Sequence, residues 1–173
     1  FCINDFHGAF LEDKDKGIPG VKNILYTLDS LKSVYPHHAT ISAGDNYGGS
    51  YLYKVLDGKP LPLFFHAAGI EISAVGNHEF NDKDFYNPEI LLHQKTIVPQ
   101  TWNLTYICAN ATDSLNSIPN GIKPFECKTI RISETCSLDI AFLGLTTATT
   151  NDYLNSKTNK VKIAPQYAQT LEQ

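Results

Sequence analysis

Three times in this chain a short apolar run stops at a cluster of polar residues. Residues 1–4, "FCIN", run into Asp5-Phe6-His7-Gly8; residues 38–44, "HATISAG", run into Asp45 and Asn46; residues 71–76, "EISAVG", run into Asn77, His78 and Glu79. Between the first two lies a helical stripe: Val21, Ile24, Leu25, Leu28, Leu31 and Val34 recur at helix spacing until Pro36 closes the segment. Between the second and third, "SYLYKVL" (50–56) and "LPLFFHAAG" (61–69) read as two helices separated by Gly58 and Pro60. Strands that alternate with helices pair in parallel, because a crossover helix returns the chain to the same edge of the sheet. The pattern therefore predicts an α/β fold built on a largely parallel sheet.

The second half reads as more strand-rich. "TYICAN" (105–110), "FECKTIRI" (125–132) and "LDIAFLGLT" (138–146) have strand character, and the short loop through Glu134 predicts a hairpin between the last two. Asn87-Pro88 has the form of an N-cap followed by proline at the first helical position, opening a helix to about Lys95. Pro165 opens a last helical segment that runs to Gln173. At 173 residues the chain has the size of one domain. With no Met, a start at Phe1 and an end inside a helix, it reads as a piece of a longer protein.

If the three strands are parallel neighbours, their loops meet at one edge, where open α/β sheets bind ligands beyond the carboxyl ends of the strands. The side chains there are complementary. Asp5 and His7, two apart in an extended segment, share one face and can grip one ion. Asp45 follows a glycine that admits close backbone approach, and its two oxygens can bridge two cations. Asn77 offers a carbonyl oxygen to the second. Imidazole, carboxylate and amide together suit zinc, manganese or iron. Two such ions about 3.5–4 Å apart activate water and clamp phosphoryl oxygens in phosphate-ester hydrolysis. His78, beside Asn77, is placed to meet the substrate and protonate a leaving oxygen. Taken singly, a D-x-H or a Gly-Asp is an ordinary turn or cap. In order, at three strand ends, they make one candidate site.

"NDFHG", "SAGDNYGGS" and "VGNHEF" resemble the first three signature blocks of the calcineurin-like metallophosphoesterases, nearest to the 5'-nucleotidase/2',3'-cyclic phosphodiesterase branch. "ICANAT" and "IAFLGLTT" resemble later strands of that branch more loosely. The resemblance implies a sandwich of two mixed sheets flanked by helices, incomplete here at its carboxy-terminal end, so that residues 1–173 make the amino-terminal part of one domain. It implies two divalent metal ions: Asp5 and His7 on the first, Asp45 as the bridge and Asn77 on the second, with His78 as the catalytic imidazole. It also implies an exported enzyme, periplasmic, secreted or at the cell surface, hydrolysing a nucleotide or related phosphate ester. Two positions depart from the pattern. The branch reads G-N-H-E-F-D, whereas Asn81 stands here in the aspartate's place and Asp82 follows it. Either Asp82 orients His78 through a shifted loop, or His78 is less basic. The later histidine and G-H-x-H block of the family are not present among these residues, so the isolated 173 residues are expected to bind metal weakly and to show little activity. His37, His38, His66 and His93 sit elsewhere and read as solvated or structural. A non-catalytic binding or surface relative that keeps the fold is the alternative; an enzyme using His78 and Glu79 without metal ranks last, because it leaves Asp5, His7 and Asp45 unexplained.

Other partner classes fit poorly. The formal net charge is −4 and Arg131 is the single arginine, unlike the basic face of a nucleic-acid binder. No apolar run reaches the roughly 20 residues of a membrane-spanning helix. The four cysteines form no C-x-x-C pair, and three lie in apolar or strand-like runs that suit buried thiols. Asn103-Leu104-Thr105 and Asn110-Ala111-Thr112 have the form of N-glycosylation acceptors, relevant in a eukaryotic secretory route.

Overall fold

The computed structural model describes residues 1–56, 58–81, 102–152, 154 and 161–165. Its strands, in chain order, are β1 (Cys2–Ile3), β2 (Thr40–Ser42), β3 (Ile70–Ala74), β4 (Thr105–Ile107), β5 (Ala111–Thr112), β6 (Ile122–Lys123), β7 (Phe125–Arg131), β8 (Ser137–Leu143) and β9 (Lys162–Ile163). The helices are α1 (Gly20–Val34), α2 (Tyr51–Val55), α3 (Pro60–Ala68) and α4 (Asn77–Asn81).

Five strands form the central sheet in the order β1-β2-β3-β4-β6, and every pair is parallel. The α/β expectation holds, and parallel pairing sends the loops after β1, β2 and β3 to one edge. β7 and β8 make the expected antiparallel hairpin, with Phe125 opposite Leu143 and Arg131 opposite Ser137. β5 and β9 form a separate antiparallel pair. The hairpin is tied to the sheet by an ion pair from Lys128 to Glu71 on β3. The segments predicted as helices from Asn87 and from Pro165 lie largely outside the described residues.

Helix positions follow from local sequence. α1 ends one residue before Tyr35, whose successor Pro36 disfavours helical backbone in the residue before it. Its stripe buries Leu28 and partly buries Val21, Ile24 and Leu25. Leu31 and Val34, expected on the same face, are exposed; between them Lys32 donates to the Ala68 carbonyl at the end of α3 at 2.6 Å. α3 has Pro60 at its start and a left-handed Gly69 as its stop. It buries Leu61, Phe64, Phe65 and Ala68 against the sheet. Phe6, from the loop after β1, stacks on Phe64 with ring centroids 4.6 Å apart. The first loop is thus anchored by its own aromatic residue.

Two expectations about polar and sulfur groups change. Cys108 is buried, whereas Cys2, Cys127 and Cys136 are exposed and all four are free. Cys127 alternates onto the outer face of β7, opposite Ala141, which nothing among the described residues covers. Asn110 is buried, donating to the carbonyls of Thr146 and Ala164 and accepting from the Thr146 amide. Its side chain is therefore closed to glycosylation in the folded state, while Asn103 is exposed.

Candidate metal centre

The backbone hydrogen-bond ladder of the sheet continues beyond the strand ends. Asp5 donates its amide to Gly44 (3.2 Å), His7 to Asp45 (3.1 Å) and Gly8 to Asn46 (3.1 Å), zipping the first loop onto the second. Along this zipper Asp5, His7 and Asp45 all take left-handed backbone, with φ of 52°, 46° and 53°. The extended geometry expected for Asp5 and His7 is therefore replaced by two left-handed residues flanking the buried Phe6. Asp and His tolerate this region better than most residues, yet each such conformation costs on the order of 1–3 kcal/mol. Among the described non-glycine residues one other, Asn116, has positive φ. Strain concentrates at the candidate site.

The outcome is a three-residue cluster. One ligand atom each from Asp5, His7 and Asp45 lies within 4.8 Å of the others, and His7 Nε2 stands 3.5 Å from Asp5 Oδ1. A carboxylate–imidazole–carboxylate set at this spacing suits a divalent transition metal. Among the described residues this is the one such grouping of three His, Cys, Asp or Glu side chains. His38 bonds the Tyr35 carbonyl, His37 bonds the Arg131 carbonyl, and His66 is exposed with its ring against Trp102, 5.7 Å between centroids. None of these three joins the cluster; His93 lies outside the described residues.

The third loop closes against the second. A Cβ added at Gly76 would lie 2.3 Å from Asp45 Oδ1, and one at Gly44 would lie 2.7 Å from the Gly76 amide. Bare backbone at both positions lets Asp45 rest on the start of α4. There the His78 amide donates to Asp45 Oδ1 at 2.9 Å. The His78 ring meets the His7 ring edge-on, 4.6 Å between centroids. Asn77 opens α4, half-buried beside them. Asp82, the candidate partner of His78, lies outside the described residues, as does the side chain of Asn81.

No protein-family model matches the chain. Among curated proteins, the 5'-nucleotidase of Bos taurus is 31% identical over 65 residues, an alignment covering 38% of this chain and 11% of that protein. Among solved structures, the 5'-nucleotidase precursor from Thermus thermophilus matches 99% of this chain and 32% of its own, with TM-score 0.72 and 18% identity. The calcineurin-like phosphoesterase YfkN from Bacillus subtilis matches 94% of this chain and 52% of its own, with TM-score 0.69 and 18% identity. The chain is a relative of the 5'-nucleotidase metallophosphoesterases. It spans about a third or less of the length of the two 5'-nucleotidases it matches.

In this metallophosphoesterase relative, the sequence gives Asn46 no role and Glu79 one only in the metal-free alternative. Glu79 is fully buried and faces inward; Asn46 is fully buried beneath Asp45. Burial pushes the Glu79 carboxyl above its usual range; amide hydrogen bonds from Asn46 oppose this and the charge of Asp45 adds to it. The available signal was the buried-type neighbour Phe80, but α4 has five residues, too few for a periodicity that separates inward from outward positions.

Proposed function

We propose that this site binds divalent metal and serves hydrolysis of a phosphate ester, most concretely a nucleotide, through a two-metal reaction. The reading is supported by a single observation above the others: Asp5, His7 and Asp45 come from two loops to within 4.8 Å, each on left-handed backbone. Asp5 and His7 are assigned to one ion, Asp45 to both, and Asn77 to the second. Bound ions would supply an activated water and neutralise phosphoryl oxygens. This chain's own residues then have defined tasks. Asp45 is held with one oxygen on the His78 amide, which fixes the direction of its carboxylate. The His78 imidazole, edge-on to His7, faces the same space and is assigned the proton for the leaving oxygen, with Asp82 as its candidate partner. An exported location accompanies this reading; among the described residues no helix is long and apolar enough to cross a membrane.

The experiment is hydrolysis of a nucleoside 5'-monophosphate and of a 2',3'-cyclic nucleotide, before and after prolonged chelation. The proposal expects activity to disappear with EDTA and return with zinc or manganese. Activity that survives complete metal removal would point instead to a metal-free mechanism. A protein that binds metal without hydrolysing either ester would fit the non-catalytic relative.

A further inference from the structure

We propose that Glu79 is a positioning residue: an inward-facing carboxylate that sets the Asp45 turn, and through it the aim of the Asp45 carboxylate toward metal. The inference rests on the reading of Asp45 as a metal ligand. Its ground is the completeness of the hydrogen bonding around Glu79. Oε2 accepts the amides of Asp45 (3.0 Å) and Gly76 (2.7 Å), and Oε1 accepts the amide of Asn46 (2.8 Å) and its side-chain Nδ2 (3.0 Å). A carboxylate has about four acceptor positions, and here all four are met by N–H donors. None is left for a metal ion or a water, and the residue is fully buried. Glu79, although it neighbours the ligand positions in sequence, is thereby separated from them in role.

Three of the four donors are backbone amides, drawn from the second loop at Asp45 and Asn46 and from the third at Gly76. One side chain thus fastens two loops that approach from different strands. Asn46 extends the attachment downward. Its Oδ1 accepts from the Ser42 hydroxyl (2.7 Å) and its Nδ2 also reaches the Ser73 hydroxyl (3.2 Å), so the clamp stands on the ends of β2 and β3. Above it, Asp45 is held in left-handed backbone, a conformation that relaxes unless its surroundings over-determine it. Removing the clamp would leave the Asp45 and Asn46 amides as buried donors without an acceptor, and the turn would rearrange to hydrate them.

The carboxylate is specific. Glutamine keeps the length and shape, but its amide nitrogen would face two N–H donors. Glu79→Gln is therefore a small change sterically and a large one for this hydrogen-bond set.

The test is titration of the protein with Mn²⁺ alone, together with amide hydrogen exchange of the metal-free form, for wild type, Glu79→Gln and Asp45→Asn. The inference expects Glu79→Gln to weaken Mn²⁺ binding by roughly 10–100-fold, as loss of outer-shell support does at other metal sites. Exchange at the Asp45, Asn46 and Gly76 amides should accelerate in the same variant, with exchange at Leu28 in α1 unchanged. Asp45→Asn should weaken Mn²⁺ binding while leaving those amides protected. If Glu79→Gln loosens the amides or lowers thermal stability but binds Mn²⁺ as wild type does, Glu79 is merely structural and the inference is overturned. If Asp45→Asn itself leaves Mn²⁺ affinity unchanged, it is the metal-site reading that fails. Should Glu79→Gln not fold, Asn46→Ala, which removes one of the four donors, decides: a smaller loss of affinity is expected, and none would overturn the inference.

Discussion

Gly76 and Asp45 touch so closely that a single methyl group cannot be placed between them: a Cβ on Gly76 would fall 2.3 Å from Oδ1 of Asp45 and 2.6 Å from its amide nitrogen. The third loop can thus approach the second only as bare backbone. Gly76→Ala should displace the Asp45 carboxylate, costing about 1–3 kcal/mol of stability, the usual penalty of overpacking. Mn²⁺ affinity should fall with it. Thermal unfolding and metal titration of the same sample check both halves of that expectation.

His7 and His78 lie edge-on at 4.6 Å yet are assigned different work, and substitution should separate them. His7→Ala should reduce metal content and turnover together. His78→Gln should retain metal and lower kcat by about 10²–10⁴-fold, the usual contribution of a positioned general acid. Metal analysis of purified variants beside steady-state kinetics distinguishes these outcomes; equal metal loss in both variants would contradict the division.

Alkaline pH should destabilise the fold through buried acidic groups at β4 and the second loop. Burial pushes the Cys108 thiol up from 9.0 to about 11, and burial beside Tyr106 raises Tyr47 well above its ordinary 10.0. Between about pH 9 and 11 the unfolded thiol has lost its proton while the folded one keeps it. The native state then binds more protons, so stability falls as pH rises through that window. The Cys108 contribution alone amounts to about 2–3 kcal/mol at its upper end. Denaturant melts at pH 8 and pH 10.5 measure the slope.

Thiol labelling offers a simpler check on burial. At pH 8 in the native state Cys2, Cys127 and Cys136 should react with a thiol reagent and Cys108 should not, until denaturant is added. Peptide mapping locates the label.

Phe65 is fully buried in α3 among Phe64, Ala68 and the sheet. Phe65→Ala should cost about 3–5 kcal/mol, a large share of the roughly 5–15 kcal/mol that holds an ordinary domain folded. The free energy from denaturant unfolding gives the comparison.

β1 to β4, β7, β8 and α1 were legible in the sequence because their signals are periodic and long, or are bounded by glycine and proline; β5, β6 and β9, of two residues each, carry no such signal. The clustering of Asp5, His7 and Asp45 was legible as a set of residue types at strand ends, since parallel pairing alone brings such ends together. What could not be read was the backbone. Asp5, His7 and Asp45 are residue types that tolerate left-handed conformation without announcing it, and the conformation is imposed by the zipper between loops, a long-range contact. The burial of Glu79 was missed for a related reason: in a helix of five residues, the direction of a side chain is decided by tertiary packing. Leu31 and Val34 carry the right period yet are exposed, since periodicity marks a face and not the extent of the surface that covers it. Cys127 sits in a strand-like run whose outer face is open, a matter of sheet environment that alternation cannot specify.

The most direct test of the central claim is an anomalous-scattering map from crystals grown with Mn²⁺. The account predicts density for manganese between the side chains of Asp5, His7 and Asp45, with a second position shared by Asp45 and Asn77. A crystal grown in saturating Mn²⁺ with no anomalous peak at those side chains, or with manganese bound only elsewhere on the chain, would contradict it.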